Sequence, residues 1–445
     1  MSYVLTGRYS KVSLLVLAGF LILQCLSSIF NEQNFLSPYG LVHVVWLLGY
    51  CFAAGFGFKL SLNASIVFII LYQVISVFLL YSYYVFVIED PLGINPVDAV
   101  FYHVMAINSS EVGFYDSIRL LLATHDVGDL GFTQVARLVY MLPGEPIINM
   151  KLFNIACHVL SSIYLFKVAK IIGFSKAGAK VVFVLFALNP ASVYFNASGL
   201  KEPFFQLLVI SSVYQSYRGV IRKKVASSIL ALVLITATGF FRTTFPLLIL
   251  LAFLVYLYIS AQGARSRMVY RSFIIVCLPL LVYLVFGFVG DSLIYNLNRD
   301  YSAVHSYRLG KENVGFIDYV ALFLSGFLGP PPSLSYDVSD ESSLIKTVPH
   351  FIKMIFSVFF CVSLGSIIRE RDFRYYPLIV ITVSNILIFV ISAASFDIRY
   401  FIPTMPMLYL IALRSLSWRD YRFGWSFIMM CFLSFALTAA YNIRG

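Results

Sequence analysis

Long apolar runs alternate with short polar breaks along this chain, and most of the runs are as long as a membrane crossing. They cover Val12–Phe30, Tyr39–Gly57, Asn63–Ile88, Leu152–Gly173, Ala179–Ala197, Leu200–Tyr217 and Val225–Phe241. The pattern continues at Thr243–Ser260, Arg271–Gly290, Leu344–Ile368, Tyr375–Ser395, Tyr400–Leu413 and Phe423–Tyr441. A hydrocarbon core takes roughly 20 helical residues to cross. The pattern therefore predicts an all-α polytopic membrane protein, one integral membrane domain over residues 1–445, with about 13 transmembrane helices (range 11–13). Two longer polar stretches interrupt the series, Glu89–Lys151 and Asp291–Ser343. In the first, apolar residues recur at helical spacing over Val97–Ile107, Tyr115–Ala123 and Leu130–Leu142, which predicts short amphipathic helices on the membrane surface. The second is polar and Tyr-rich, dips through a semi-apolar Tyr319–Leu328 too short to span, and turns at Pro330, Pro331 and Pro332. Three prolines forbid helix and favour a stiff extended segment, either a rigid connector or a substrate gate.

Composition agrees with the pattern: 60% of residues are hydrophobic and 12% charged, against roughly 25% charged in soluble domains. The net charge of +11 reads as topology-setting loop charge rather than as a nucleic-acid surface. Arg8 and Lys11 precede the first apolar run as in a signal peptide, but no small-residue cleavage site follows, so the run is expected to be retained. Cys25, Cys51, Cys157, Cys277, Cys361 and Cys431 all lie in apolar runs without a C-x-x-C pair and read as packing residues. With a cytoplasmic N-terminus, alternate connections collect the clusters Lys167–Lys180, Arg218–Lys224, Arg265–Arg271, Arg369–Arg374 and Arg414–Arg422, with few carboxylates among them. Positive loops stay inside. Both long polar stretches then fall on the extracytoplasmic side, and the first concentrates Glu89, Asp90, Asp98, Glu111, Asp116, Asp126, Asp129 and Glu145.

No P-loop, dinucleotide fingerprint, H-E-x-x-H or G-x-S-x-G occurs, so nucleotide-driven transport, metalloprotease and serine-hydrolase chemistry have no sequence support. The histidines lack metal-ligand spacing; His103 and His125 merely share a loop. Charged and polar residues at the outer ends of helices remain. Asp98 lies in P-V-D-A-V-F-Y-H, with Tyr102 and His103 about one turn on. Lys201 and Glu202 stand where the chain re-enters a helix, Arg242 sits in G-F-F-R-T-T-F-P between two spans, and Asp397, Arg399 and Tyr400 belong to S-F-D-I-R-Y-F-I-P-T-M-P. Charges this close to hydrocarbon are costly. Each read singly is an interfacial or snorkelling side chain; converging, Lys201, Arg242 and Arg399 would form a cationic patch for a phosphate or diphosphate, faced by the Asp98 carboxylate.

An acidic residue shortly after an early membrane helix, followed by Tyr and His and amphipathic loop helices, resembles the glycosyltransferase C (GT-C) superfamily. So do N-P-A-S-V-Y-F-N-A-S-G-L-K-E before a helix and R-Y-F-I-P-T-M-P near the C-terminal end. At this level the chain is also similar to O-antigen and capsule polymerases. The resemblance implies transfer of a sugar or oligosaccharide from a polyprenyl phosphate or diphosphate carrier, such as undecaprenyl phosphate, on the outer face of a bacterial inner membrane. It implies a role in cell-surface polysaccharide or lipopolysaccharide assembly, as a single transferase or a repeat-unit polymerase. Its partners would be the lipid-linked donor, a glycan or lipid-linked acceptor and membrane lipids, without nucleic acid. The family's loop carboxylate, base or acceptor-positioning group, is matched best by Asp98, with Glu89 and Asp90 as competitors. Tyr102, His103, Lys201, Glu202, Arg242, Arg399 and Tyr400 would bind substrate. The Asp-x-Asp metal signature of some members is missing, so neither metal nor other cofactor is expected. The alternative is a flippase of lipid-linked oligosaccharide, against which stands the lack of Gly- or Pro-broken segments in matching positions of two halves.

Overall fold

The computed structural model describes residues 38–93, 97–110, 112–124, 127–260, 315–329, 341–391 and 398–416, with isolated positions beyond. These residues are helical, with no strand among them. The helices are α1 (Pro38–Lys59), α2 (Leu62–Tyr83, running into a π-turn Tyr84–Ile88), α3 (Val97–Ser110), α4 (Phe114–Thr124) and α5 (Val127–Tyr140). Then follow α6 (Pro146–Ile171), α7 (Lys176–Ala187), α8 (Pro190–Ala197), α9 (Glu202–Arg222), α10 (Val225–Thr238) and α11 (Phe245–Ser260). The last described helices are α12 (Phe316–Leu328), α13 (Glu341–Glu370), α14 (Tyr376–Ile391) and α15 (Met405–Leu416).

By length and composition, 5 described helices can cross a membrane, or 6 if a bent pair counts as one span. They are α1, α2 with its π-turn, α6, α13 and α14, while α10, α11, α12 and the 402–414 stretch are apolar but shorter. The expected spans Val12–Phe30 and Arg271–Gly290, and nearly all of Phe423–Tyr441, lie outside the described residues. The expected single span Ala179–Ala197 is instead the bent pair, α7 and α8 meeting at 46°. Pro190 carries no N–H and begins a new helix, whose first turn Asn189 caps by accepting from the Ala191 N–H at 3.0 Å. The break strips the Ala187 carbonyl of its helical donor. Gln73 of α2 donates to that carbonyl at 2.7 Å, and His158 of α6 lies 3.1 Å from it. Apolar surroundings leave no water for the task, so side chains of neighbouring helices perform it.

The first polar stretch folds into α3, α4 and α5 and ends earlier than the apolar pattern indicates. Glu145 caps α6 by accepting from the Ile148 N–H at 2.7 Å, with Pro146 in the first turn. Helix α6 packs on α7 and α9, α9 on α10, and α13 on α15, so that the 398–404 turns are enclosed by α9, α14 and α15. Of the second polar stretch, 315–329, which holds α12, and the first residues of α13 are described.

Candidate functional site

Four separate breaks in the helical pattern bring the charged side chains to one place. At the first, α8 ends at Ala197 and Gly199 turns the chain with φ +66°, a conformation that a Cβ would strain. Lys201 then stands just before α9, and Glu202 and Pro203 occupy its first turn. A carboxylate there faces the positive end of the helix dipole. At the second break, between α10 and α11, Arg242 is held in a tight turn: its N–H donates to the Thr238 carbonyl at 3.0 Å and its carbonyl accepts from Phe245 at 3.1 Å. Gly131 of α5 presses against that turn, donating to the Phe240 carbonyl at 3.0 Å. An added Cβ would meet this carbonyl at 2.7 Å. The third break is a pair of 3₁₀ turns, Ile398–Tyr400 and Ile402–Thr404. Gln206 of α9 donates to the Ile402 carbonyl at 2.6 Å, and Asn385 of α14 to the Tyr400 carbonyl at 3.2 Å. The fourth is the start of α3, which carries Asp98 in its first turn.

Two ion pairs result. Asp98 accepts a hydrogen bond from Arg399 across 301 residues of sequence. Arg242 pairs with Glu202 at 3.7 Å. The pairs differ in access: the Asp98 and Arg399 side chains are 48% and 29% exposed, those of Glu202 and Arg242 5% and 14%. Tyr400 joins them. Its ring lies 4.9 Å from the Arg242 guanidinium and 4.8 Å from that of Arg399, and its hydroxyl accepts from Arg399 at 2.9 Å. Phe389 and Phe205 flank Arg242 at 5.4 and 5.7 Å. Lys201 lies 5.5 Å from the ring of Tyr102, which is itself buried edge-on against Phe132 at 5.0 Å. The charges of Arg242, Lys201 and Arg399 all bear on the buried Glu202 carboxylate.

Asp98, Tyr102, Lys201, Glu202, Arg242, Arg399 and Tyr400 thus converge, while His103 does not join them. It turns to α5, where its Nδ1 lies 2.9 Å from the Tyr140 hydroxyl. Burial pushes the His103 imidazole below its ordinary value, the Glu145 charge opposing. Arg242, expected as part of the cationic patch, lies largely buried with its guanidinium 3.7 Å from the Glu202 carboxylate. Neither competitor of Asp98 bonds Arg399: Asp90 accepts from the Leu92 N–H at 2.8 Å, and Glu89 caps the π-turn with φ 59°. Asp397, His125, Glu111 and Asp126 lie outside the described residues.

Sequence reading passed over Lys151. It is fully buried, donates to the Pro91 carbonyl at 3.2 Å and to the Ala197 carbonyl, and sits 4.6 Å from the Tyr81 ring. It ties the end of α8 to the segment before α3. The signal available was a lysine in the first turns of an apolar helix, away from the basic end that carries Lys167 and Lys170. Among the described residues, no group of three or more His, Cys, Asp or Glu side chains is placed to hold a metal ion.

Chemically, the cluster offers a half-exposed carboxylate against a half-exposed guanidinium, on top of a buried ion pair and an aromatic bed. Residues 133–299 match the family model described as Mannosyltransferase (PIG-V), a GT-C-type glycosyltransferase family. The matched stretch contains Lys201, Glu202 and Arg242 but neither Asp98 nor Arg399. No curated protein and no solved structure matches the chain.

Proposed function

We propose that this GT-C-type membrane glycosyltransferase takes its sugar from a polyprenyl phosphate or diphosphate carrier, with Arg399 holding the phosphate and Asp98 acting as the base. The observation that carries the reading is the Asp98–Arg399 ion pair, because it joins an acid–base group to an anion-binding group at the accessible rim of the cluster. A phosphate that reaches the rim meets Arg399 before it meets Arg242. The planar fork of guanidinium N–H donors suits a bidentate grip on two phosphate oxygens. By taking Arg399, the phosphate displaces the Asp98 carboxylate, which is then free for the acceptor.

The acceptor hydroxyl oxygen attacks the anomeric carbon, and its proton passes to Asp98. The bond between that carbon and the carrier oxygen breaks, the electron pair leaving with the phosphate. A positioned base contributes about 10²- to 10⁴-fold. Arg399 stabilises the charge that gathers on the leaving phosphate, with Lys201 adding positive charge to the cluster. Glu202 and Arg242 form the foundation: their buried pair and the Tyr400 ring fix where Arg399 stands. The finer assignment is an extracytoplasmic active face in a bacterial inner membrane and a part in surface-polysaccharide assembly. It is supported by the basic inner connections and the acidic first stretch. The description of the matched family makes mannose the first sugar to test.

The test is a reconstituted transfer assay with polyprenyl-phosphate-linked mannose and related lipid-linked sugars, run on the wild type, Arg399→Ala and Arg399→Lys. Acceptor-dependent release of the carrier is expected, lost in Arg399→Ala and partly regained in Arg399→Lys, whose point charge lacks the fork. Movement of the labelled lipid across the bilayer without any transfer would overturn the reading in favour of a flippase.

A further inference from the structure

Lys353 lies inside α13, roughly 12 Å along the helix from Ile345 at 1.5 Å per residue, and is only 2% exposed. A charge at such depth in an apolar helix is expensive and marks a function. Its ammonium donates to the carbonyls of Gly326 at 3.0 Å, of Phe327 at 3.4 Å and of Gly329. These belong to the last turn of α12 and the residue just past it, the carbonyls that a helix end leaves without donors. An ammonium has three N–H bonds, and three acceptors take them, so none is left for a ligand. The same nitrogen stands 3.7 Å from the centre of the Phe401 ring. Phe401 follows Arg399 and Tyr400 in the chain, and it packs on Phe389, which touches both Tyr400 and Arg242.

We propose that Lys353 is a positioning residue for the donor site: it joins the end of α12 to Phe401 and so fixes where Arg399 and Tyr400 stand. The inference rests on the reading of Arg399 as the phosphate ligand. A cap on α12 alone needs no ring on its other side. The contact with Phe401 makes the end of α12 and the 398–404 turns one mechanical unit, and donor binding at Arg399 acts on both.

The experiment compares Lys353→Met, which keeps the aliphatic length and removes the N–H groups, with Lys353→Arg and with Phe401→Leu, which removes the ring and leaves the lysine. Donor KM, acceptor KM, kcat and membrane abundance are measured, with hydrogen exchange over residues 315–329. Displaced positioning costs about tenfold or more, so Lys353→Met and Phe401→Leu should raise donor KM about that much while acceptor KM stays near wild type. Lys353→Arg should recover part of the loss. Faster exchange over 315–329 is expected in Lys353→Met, slowed again by donor. Wild-type donor KM in Phe401→Leu, or equal rises in both KM values together with loss of protein, reduces Lys353 to a structural cap and overturns the inference. Arg399→Ala is run alongside: if it binds donor normally, the phosphate reading falls and this inference with it. If it fails while Lys353→Met and Phe401→Leu are normal, only this inference falls.

Discussion

Replacing Asp98 by Asn keeps the size of the side chain and removes its charge and its ability to take a proton. The folding cost can be bounded from the structure. Its ion pair with Arg399 is half-exposed, with side chains 48% and 29% accessible, and such pairs contribute about 0–1 kcal/mol. Asp98 also sits in the first turn of α3, where a negative charge adds about 0.3–1 kcal/mol. The sum is roughly 1–2 kcal/mol at most, too little to empty the membrane of a folded protein. Loss of a general base costs far more in rate, about 10²- to 10⁴-fold, or roughly 2.7–5.5 kcal/mol of barrier at about 1.36 per tenfold. The two effects are therefore separable. Asp98→Asn also removes the pairing that a donor phosphate must displace, and up to about 1 kcal/mol would tighten donor binding by up to about fivefold. The expected signature is a kcat reduced at least about 100-fold, with donor KM unchanged or lower and abundance near wild type. A lipid-linked-sugar transfer assay on detergent-purified protein, normalised by immunoblot, reads all three. Asp98→Glu should keep a trace of activity, since the carboxylate is retained but displaced. Turnover within threefold of wild type in Asp98→Asn would refute the reasoning and leave Asp98 as no more than a helix-end partner for Arg399.

Arg242→Ala strands the buried Glu202 carboxylate and should destabilise the fold by about 3–5 kcal/mol, read as lost abundance and a lower unfolding temperature; adding Glu202→Gln should restore much of it. Gly131→Ala drives a Cβ against the Phe240 carbonyl and the Phe241 ring, so a cost of about 1–3 kcal/mol should come with an activity loss as the Arg242 turn is pushed aside; wild-type kinetics would detach that turn from the site. His103 is held below its ordinary value by burial, against the Glu145 charge. The unfolded chain then binds more protons just below pH 6.5, the contact of α3 with α5 weakens as pH falls through that window, and hydrogen exchange in α3 should rise. His103→Gln should flatten that response, and an unchanged pH profile would show that another group governs it. Reporters fused near Gly128 and near Ser335 should both report the outer side and one near Lys223 the cytoplasm; opposite sides for the first two would break the orientation read from the loop charge.

The membrane class and the position of most helices are local properties, written in runs of apolar residues long enough to cross a bilayer, and they are legible without any fold. So were the rare charges at helix ends, because a single Asp, Lys, Glu or Arg against an apolar run stands out in one dimension. The dipeptide Asn189–Pro190 carried the break between α7 and α8 as well, though a continuous apolar run hid it. What the pattern could not supply was partnership. Asp98 and Arg399 are 301 residues apart, and which carboxylate meets which guanidinium depends on how each helix is rotated and where each turn ends. Spacing placed His103 beside Tyr102, yet successive helical residues point about 100° apart, so Tyr102 faces Phe132 while His103 faces Tyr140. Lys353 shows the same limit from the other side. Its charge was visible as a lysine in an apolar helix, but its work lies in three carbonyls and a ring that belong to other elements. Hydropathy is a property of a segment and survives in the sequence; an ion pair or a cap is a property of two segments, and only packing decides it.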